Sequence, residues 1–154
     1  IKKNNIFYMS YESRGYSKKQ KNRAIGIAFS NNLKDWERLK DKPIFKDSEY
    51  CSVFFEHSNN IYHLVPNNKR FKVYRAKNFS DFSNNSFIGY WDPLGKENNY
   101  TFDSPEIITQ DIRKKIDNGS SLEILYSILL DEGWVTKIIK YENLGNFLES
   151  LNPI

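Results

Sequence analysis

A short motif that recurs three times constrains the fold of this chain more than any other feature of its sequence. Each copy follows a strand-like apolar run and consists of Asn, an apolar residue, a spacer, Asp or Asn, and an aromatic residue. The copies begin at Asn32, Asn78 and Asn143. Repetition at intervals of tens of residues is typical of repeat architectures, in which each unit buries its apolar face against the next unit.

Further apolar runs precede each copy of the motif and complete the repeating unit. These runs lie at residues 6–11, 52–55, 61–65, 105–109 and 123–129. The first unit has one such run before its motif, at 6–11, whereas the second and third units have two each. Units of four strands and about 40 to 50 residues are typical of β-propeller blades. We therefore predict an all-β chain that forms a single partial propeller domain, with about three blades of four antiparallel strands. The approximate blades are residues 1–48, 49–101 and 102–154.

The composition excludes several classes of protein. Aromatic residues make up 16% of the chain, which argues against disorder, because disordered chains are poor in aromatics. No apolar run approaches 18 residues, so no membrane partner is expected. The basic residues are not interleaved with aromatics on one face, and we predict no nucleic-acid binding. Cys51 is the only cysteine, so neither a disulfide framework nor a Cys metal cluster is expected, and we predict no metal and no cofactor.

The first unit resembles an early blade of the five-bladed β-propeller glycoside hydrolases, the superfamily that includes families 43 and 32. The segments that carry the resemblance are FYMSY at 7–11, IGIAFS at 25–30, NLKDW at 32–36 and PI at 43–44. The resemblance covers nearly the whole chain at the level of blades, but it is strong at the level of residues only in the first unit. It implies a five-bladed propeller that hydrolyses an oligosaccharide or a furanoside-type glycoside.

The resemblance also implies catalytic carboxylates on the innermost strands. Asp103, in the sequence Asp-Ser-Pro, stands at the head of a blade where the superfamily has its acid Glu, and it is the candidate general acid. Glu106 is a weaker candidate, because strand alternation points it away from Asp103. Tyr50 and Cys51 stand where the superfamily has an orienting Asp. Glycoside cleavage requires two carboxyl groups, so Asp103 cannot perform it alone.

Six residues are candidates for binding the substrate. They are Arg14, Arg23, Tyr50, Glu56, His57 and Trp91. Glu56 and His57 end an inner strand, where a polar rim is the alternative interpretation. Trp91 lies in the loop-like region 83–101, from which its indole is a candidate to stack on a sugar ring. The alternative for part of this region is the outer strand of the second blade. Arg14 and Arg23 flank a polar loop that either holds an anionic or hydroxylated ligand or is simply solvated.

Other residues receive structural assignments. We expect His63 to be a hydrogen-bonded core histidine, and we expect Trp36, Phe82 and Phe147, the aromatic residues of the three motifs, to pack between blades. Gly26, in the middle of a strand, indicates either a bulge or a close approach of another group.

Three hypotheses on function stay open: a glycosidase, a non-catalytic carbohydrate-binding propeller, and an interaction scaffold without a sugar ligand. The expected partners are a carbohydrate and either a second copy of the chain or the remainder of the propeller, because three blades are about half of the five-bladed ring. Ile1 is not an initiator Met, so we expect the native N-terminus to differ. Cytoplasmic and secreted locations are both open.

Overall fold

The computed structural model describes residues 1–14, 23–48, 52–67, 70–93, 107–108, 122–130 and 133–152. Most of these residues are in β-strands. The strands are β1 (Lys2–Lys3), β2 (Ile6–Arg14), β3 (Arg23–Ser30), β4 (Glu37–Arg38), β5 (Phe45–Ser48), β6 (Val53–His57), β7 (Asn60–Asn67), β8 (Arg70–Ala76), β9 (Phe87–Trp91), β10 (Ile107–Ile108), β11 (Leu122–Leu130) and β12 (Gly133–Tyr141). Two short 3₁₀ segments, Phe79–Asp81 and Asn84–Ser86, and the helix α1 (Leu144–Glu149) complete the described elements.

The strands form three antiparallel sheets in chain order. The first sheet has the order β1-β2-β3-β4, with β5 also pairing with β3, the second is β6-β7-β8-β9, and the third is β10-β11-β12. The prediction of an all-β chain is confirmed. One local prediction is wrong. The first unit does have a strand ahead of β2, because β1 pairs with it. The alternative prediction for the loop-like region at 83–101, that part of it pairs as the outer strand, is confirmed, because β9 pairs with β8 in that position.

The second sheet lies between the other two. Its strand β7 is buried from Ile61 to Pro66, which requires cover on both faces because strand side chains alternate between faces. Ile61 and Val65 pack against the first sheet, and Tyr62 and Leu64 pack against the third. The three sheets therefore stack face to face.

Two apolar cores hold the stack together. The core between the first and second sheets contains Ile25, Ile27, Phe45, Ile61, Val65, Tyr74, Ala76, Phe79 and Phe82. The core between the second and third sheets contains Phe55, Tyr62, Leu64, Phe71, Val73, Trp91, Leu122, Ile124 and Phe147. Complete burial of one such large apolar side chain contributes about 1.5 to 3 kcal/mol.

The recurring motif forms a turn that follows the third strand of each sheet and is stabilised by its Asn. The side-chain oxygen Oδ1 of Asn32 accepts hydrogen bonds from the backbone N–H groups of Lys34 and Asp35, both at 2.9 Å. Asn143 caps α1 by accepting from the N–H of Asn146 at 3.0 Å. In the second copy, the backbone and side-chain N–H groups of Asn78 both donate to the Asp81 carboxylate. Short polar side chains favour such turns because they satisfy backbone groups locally.

The aromatic residues of the second and third motifs face the sheet that precedes their own. Phe82, after the second sheet, is fully buried in the core shared with the first sheet. Phe147, after the third sheet, is fully buried in the core shared with the second. The packing role predicted for these two residues is therefore confirmed. Trp36, after the first sheet, is only half-buried, and its indole N–H donates to the carbonyl oxygen of Leu33 at 3.2 Å.

The segment that follows α1 returns to the second sheet. Asn152 exchanges two backbone hydrogen bonds with Tyr90 of β9, at 2.8 and 3.0 Å. Gly89 permits this approach, because it adopts a φ of 151° that other residues rarely adopt, and an added Cβ would lie 3.1 Å from the Cβ of Leu151.

Candidate functional site

The seam between the first and second sheets holds two of the predicted site residues, Glu56 and His57. The Lys3 ammonium lies 2.8 Å from the Glu56 carboxylate, which joins β1 to β6. Nearby, the Ser10 hydroxyl donates to the backbone carbonyl of Ser52 at 2.7 Å. Polar contacts therefore join the first and second sheets at this seam.

Glu56 and His57 occupy the end of β6 next to a tight hairpin turn. Ser58 and Asn59 both have positive φ, at 47° and 62°, as the two central residues of a type I′ turn require. The Glu56 carboxylate is in the ion pair with Lys3, so it has a structural role at the rim of the seam. His57 is partly exposed at the same rim.

His63 lies behind the seam in the core. Its Nε2 is 2.6 Å from the Ser52 hydroxyl, and its ring packs among Phe45, Phe54 and Phe82. Burial holds the pKa of the His63 imidazole well below its ordinary value of 6.5, so the ring is neutral at physiological pH. Its Nδ1 is buried without a hydrogen-bond partner among the described residues. Among the residues that the structure describes, no carboxylate orients the ring at Nδ1 in the way that a catalytic triad requires. The prediction of a hydrogen-bonded core histidine is confirmed.

The expectation that the Trp91 indole is exposed in a long loop is wrong. Its side chain is 1% exposed at the end of β9, and its N–H donates to the Tyr141 hydroxyl at 2.7 Å. The ring packs against Phe71 and Phe147. Stacking of a sugar ring on Trp91 is therefore incompatible with this packing.

The remaining predicted site residues lie at or beyond the limits of the described residues. Arg14 and Arg23 face each other in the register of β2 and β3, at the end of the hairpin they were predicted to flank. Tyr50, Asp103 and Glu106 lie outside the described residues. Their roles stay predictions.

A groove between the outer parts of the first and second sheets was not predicted from the sequence. It has a volume of about 520 Å³ and is lined by Ile44, Lys46, Lys72, Tyr74, Asn84, Phe87 and Tyr90. Lys46 belongs to β5 of the first sheet, whereas Lys72 and Tyr74 belong to β8 of the second. None of these described lining residues is acidic.

Aromatic residues in contact with one another form the floor of the groove. The Tyr74 and Phe87 rings meet at 5.6 Å and the Phe87 and Tyr90 rings at 5.1 Å, both edge to face. The Arg70 guanidinium lies 3.5 Å from the centre of the Tyr90 ring, within the range of a cation–π contact. Burial, and secondarily the neighbouring Tyr90, raise the pKa of the Tyr74 hydroxyl to about 12. That hydroxyl therefore stays protonated and able to donate a hydrogen bond.

The alternation of residues along β8 was a partial signal of this groove. Lys72 and Tyr74 are two residues apart and so lie on one face of the strand. The contribution of Lys46 depends on the packing of two sheets, which the spacing of residues in the sequence does not show.

Comparison with known proteins gives no identification. The chain matches no protein-family model, no curated protein and no solved structure. The resemblance to the propeller glycoside hydrolases therefore rests on the quoted segments alone. Among the described residues, no helix has the length and apolar character needed to cross a membrane.

Proposed function

We propose that the chain contributes blades to a β-propeller of the glycoside hydrolase type, and that the protein acts on an oligosaccharide or a furanoside-type glycoside. The observation that carries this proposal is that the second and third sheets each pack on the preceding sheet in the same way. In the second and third sheets, the turn after the third strand places its aromatic residue, Phe82 or Phe147, against the sheet that precedes it. Radial stacks of small antiparallel sheets with this regularity are typical of propellers.

The first sheet supports the same interpretation through the residues it leaves uncovered. Leu33 and Met9 are 56% and 38% exposed, and Trp36 is half-buried. Leu33 and Trp36 occupy the motif positions that Phe79 and Phe82 fill in the second sheet, where both are buried. An apolar face of this kind fits a further sheet packed on it, as a larger ring of blades would provide.

The proposed chemistry assigns the general acid to Asp103. Glycoside cleavage needs a protonated carboxyl group at the leaving oxygen and an ionised carboxylate on the other side of the scissile bond. A partly desolvated position at the head of an inner strand would raise the pKa of a carboxyl group and keep it protonated. The support for Asp103 is its place before Ser104 and Pro105, where the superfamily has its acid motif. Glu106 stays the weaker candidate.

Substitution of Asp103 by Asn tests this assignment. General acid catalysis contributes about 10² to 10⁴-fold in rate, so Asp103→Asn should lower turnover of an unactivated oligosaccharide by about that factor. An aryl glycoside with a good leaving group needs little protonation and should lose much less. Asp41→Asn, at an exposed site, is the matched control and should leave both rates unchanged. Equal losses on both substrates would exclude Asp103 as the acid.

A non-catalytic carbohydrate-binding protein is the second candidate, and the groove favours it. Aromatic rings with convergent polar groups are the usual lining of a small-molecule site, and the groove provides both without any carboxylate among its described lining residues. Binding of saccharides without hydrolysis of any of them would select this second candidate.

A further inference from the structure

We propose that the groove between the first and second sheets binds an anionic saccharide, meaning a sugar ring that carries a carboxylate or a phosphate group. The inference rests on the proposed carbohydrate function and adds to it the charge of the ligand and the place where it binds. The groove involves none of the predicted site residues, so its occupation is separate from any chemistry at Asp103.

The charge of the groove is the first argument. Lys46 and Lys72 approach it from different sheets, and neither forms an ion pair with a carboxylate among the described residues. Arg70 adds a third positive charge against the Tyr90 ring, although it is not itself a lining residue of the groove. A cleft lined by charges of one sign attracts a ligand of the opposite sign, and a Lys ammonium is a common ligand of phosphate and carboxylate groups.

The aromatic floor is the second argument, because a simple anion would make no use of an apolar aromatic surface. The edge-to-face contacts of Phe87 with Tyr74 and Tyr90 fix the orientation of the rings that line the groove. Arg70 covers the Tyr90 ring and helps to hold it. Fixed rings offer an apolar surface to a ligand at little cost in side-chain entropy. A sugar ring, with C–H groups on one face and hydroxyl groups around its edge, matches such a surface.

Polar groups and size complete the match. The Asn84 amide and the Tyr74 hydroxyl can donate hydrogen bonds, as the hydroxyl groups of a sugar require. The volume of about 520 Å³ lies within the range of about 300 to 1,000 Å³ that is usual for small-molecule sites. The groove is therefore large enough for a short saccharide.

Calorimetric titration of the protein with four probes tests the ligand class. The probes are glucuronate, glucose 6-phosphate, neutral glucose and inorganic phosphate. We expect at least one of the two anionic sugars to bind about tenfold or more tightly than both glucose and inorganic phosphate. The preferred anionic sugar then distinguishes a carboxylate ligand from a phosphate ligand. Inorganic phosphate binding as tightly as glucose 6-phosphate, with glucuronate weak, would show a simple anion site and overturn the proposal.

A charge-matched pair of double variants tests the location. Lys46→Gln with Lys72→Gln should weaken binding of the preferred anionic sugar by about tenfold or more, because each Lys can supply a charge-assisted hydrogen bond. Lys34→Gln with Lys137→Gln removes the same charge at exposed positions outside the groove and should have little effect. Equal losses in both double variants would overturn the assignment to the groove.

The failure of this inference differs from the failure of the proposed function. The inference alone would be overturned if neutral oligosaccharides bind or are cleaved equally in the parent and in both double variants, while anionic sugars are not bound selectively. The proposed function would then stay in place. Absence of both binding and cleavage across neutral and anionic saccharides would overturn the two together.

Discussion

The indole nitrogen of Trp91 donates a hydrogen bond of 2.7 Å to the hydroxyl oxygen of Tyr141, and so joins the outer strand of the second sheet to the last strand of the third. Both rings also pack edge to face against Phe147, at 6.1 and 5.4 Å between ring centres. A single cluster of three aromatic residues therefore links β9, β12 and α1.

The Trp91–Tyr141 bond should contribute measurably to stability. Tyr141→Phe leaves the buried indole N–H without this acceptor, and we expect a loss of about 1 to 3 kcal/mol in the free energy of unfolding. Trp91→Phe removes the donor and part of a buried ring, and should cost at least as much. Urea unfolding of both single variants and the double variant should give a coupling energy of about 1 kcal/mol. Strictly additive losses would show that the bond does not contribute.

Gly26 leaves no room for a Cβ unless the Tyr11 ring moves. These two residues are directly paired between β3 and β2, and a Cβ built on Gly26 would lie 2.3 Å from the Tyr11 ring. Gly26→Ala should therefore destabilise the protein by about 1 to 3 kcal/mol, the usual cost of overpacking. In a Tyr11→Ala background the same substitution should cost much less. A similar cost in both backgrounds would point to the backbone of Gly26 and not to the Tyr11 ring.

The stability of the protein should fall as the pH drops below about 6.5, and His63 should be the cause. Burial lowers the pKa of His63 in the folded state, so the unfolded chain takes up a proton that the folded chain does not. The unfolded state then binds more protons below its pKa of about 6.5, and the free energy of unfolding decreases by up to about 1.4 kcal/mol per pH unit.

Unfolding by urea between pH 5 and 7.5 measures this dependence. His63→Gln should flatten it, whereas His57→Gln changes the other of the two histidines and is the matched control. If the control variant loses the pH dependence and His63→Gln retains it, the assignment to His63 is wrong.

The sequence was sufficient for those features that depend on local patterns. The three Asn motifs predicted where the strand before each of them ends, and Phe82 and Phe147 were expected to pack between units because they recur at equivalent positions. His63 was expected in the core because it lies within an apolar run. Gly26 was expected at a bulge or a close approach, and the Tyr11 ring is what approaches it. In each case, neighbours in the sequence or the repeat itself carried the information.

Features that depend on packing between distant segments could not be predicted in this way. Trp91 follows a stretch rich in Ser and Asn, which is typical of loops, and only its pairing with β8 and its contact with Tyr141 make it a core residue. Glu56 gained an ion-pair partner from Lys3, in a strand of two residues that has no recognisable period. The groove combines Lys46 with side chains of another sheet, and no spacing within one segment indicates such a combination.

The return of Asn152 to Tyr90 also bears on how the protein avoids aggregation. β9 is the edge strand of the second sheet, and an edge strand presents backbone N–H and C=O groups that can pair with a strand of another molecule. The two backbone hydrogen bonds between Asn152 and Tyr90 occupy the N–H and C=O groups of Tyr90 on this edge. The segment after α1 thus blocks part of this edge, and its own backbone takes the place that an intermolecular β-strand would otherwise occupy.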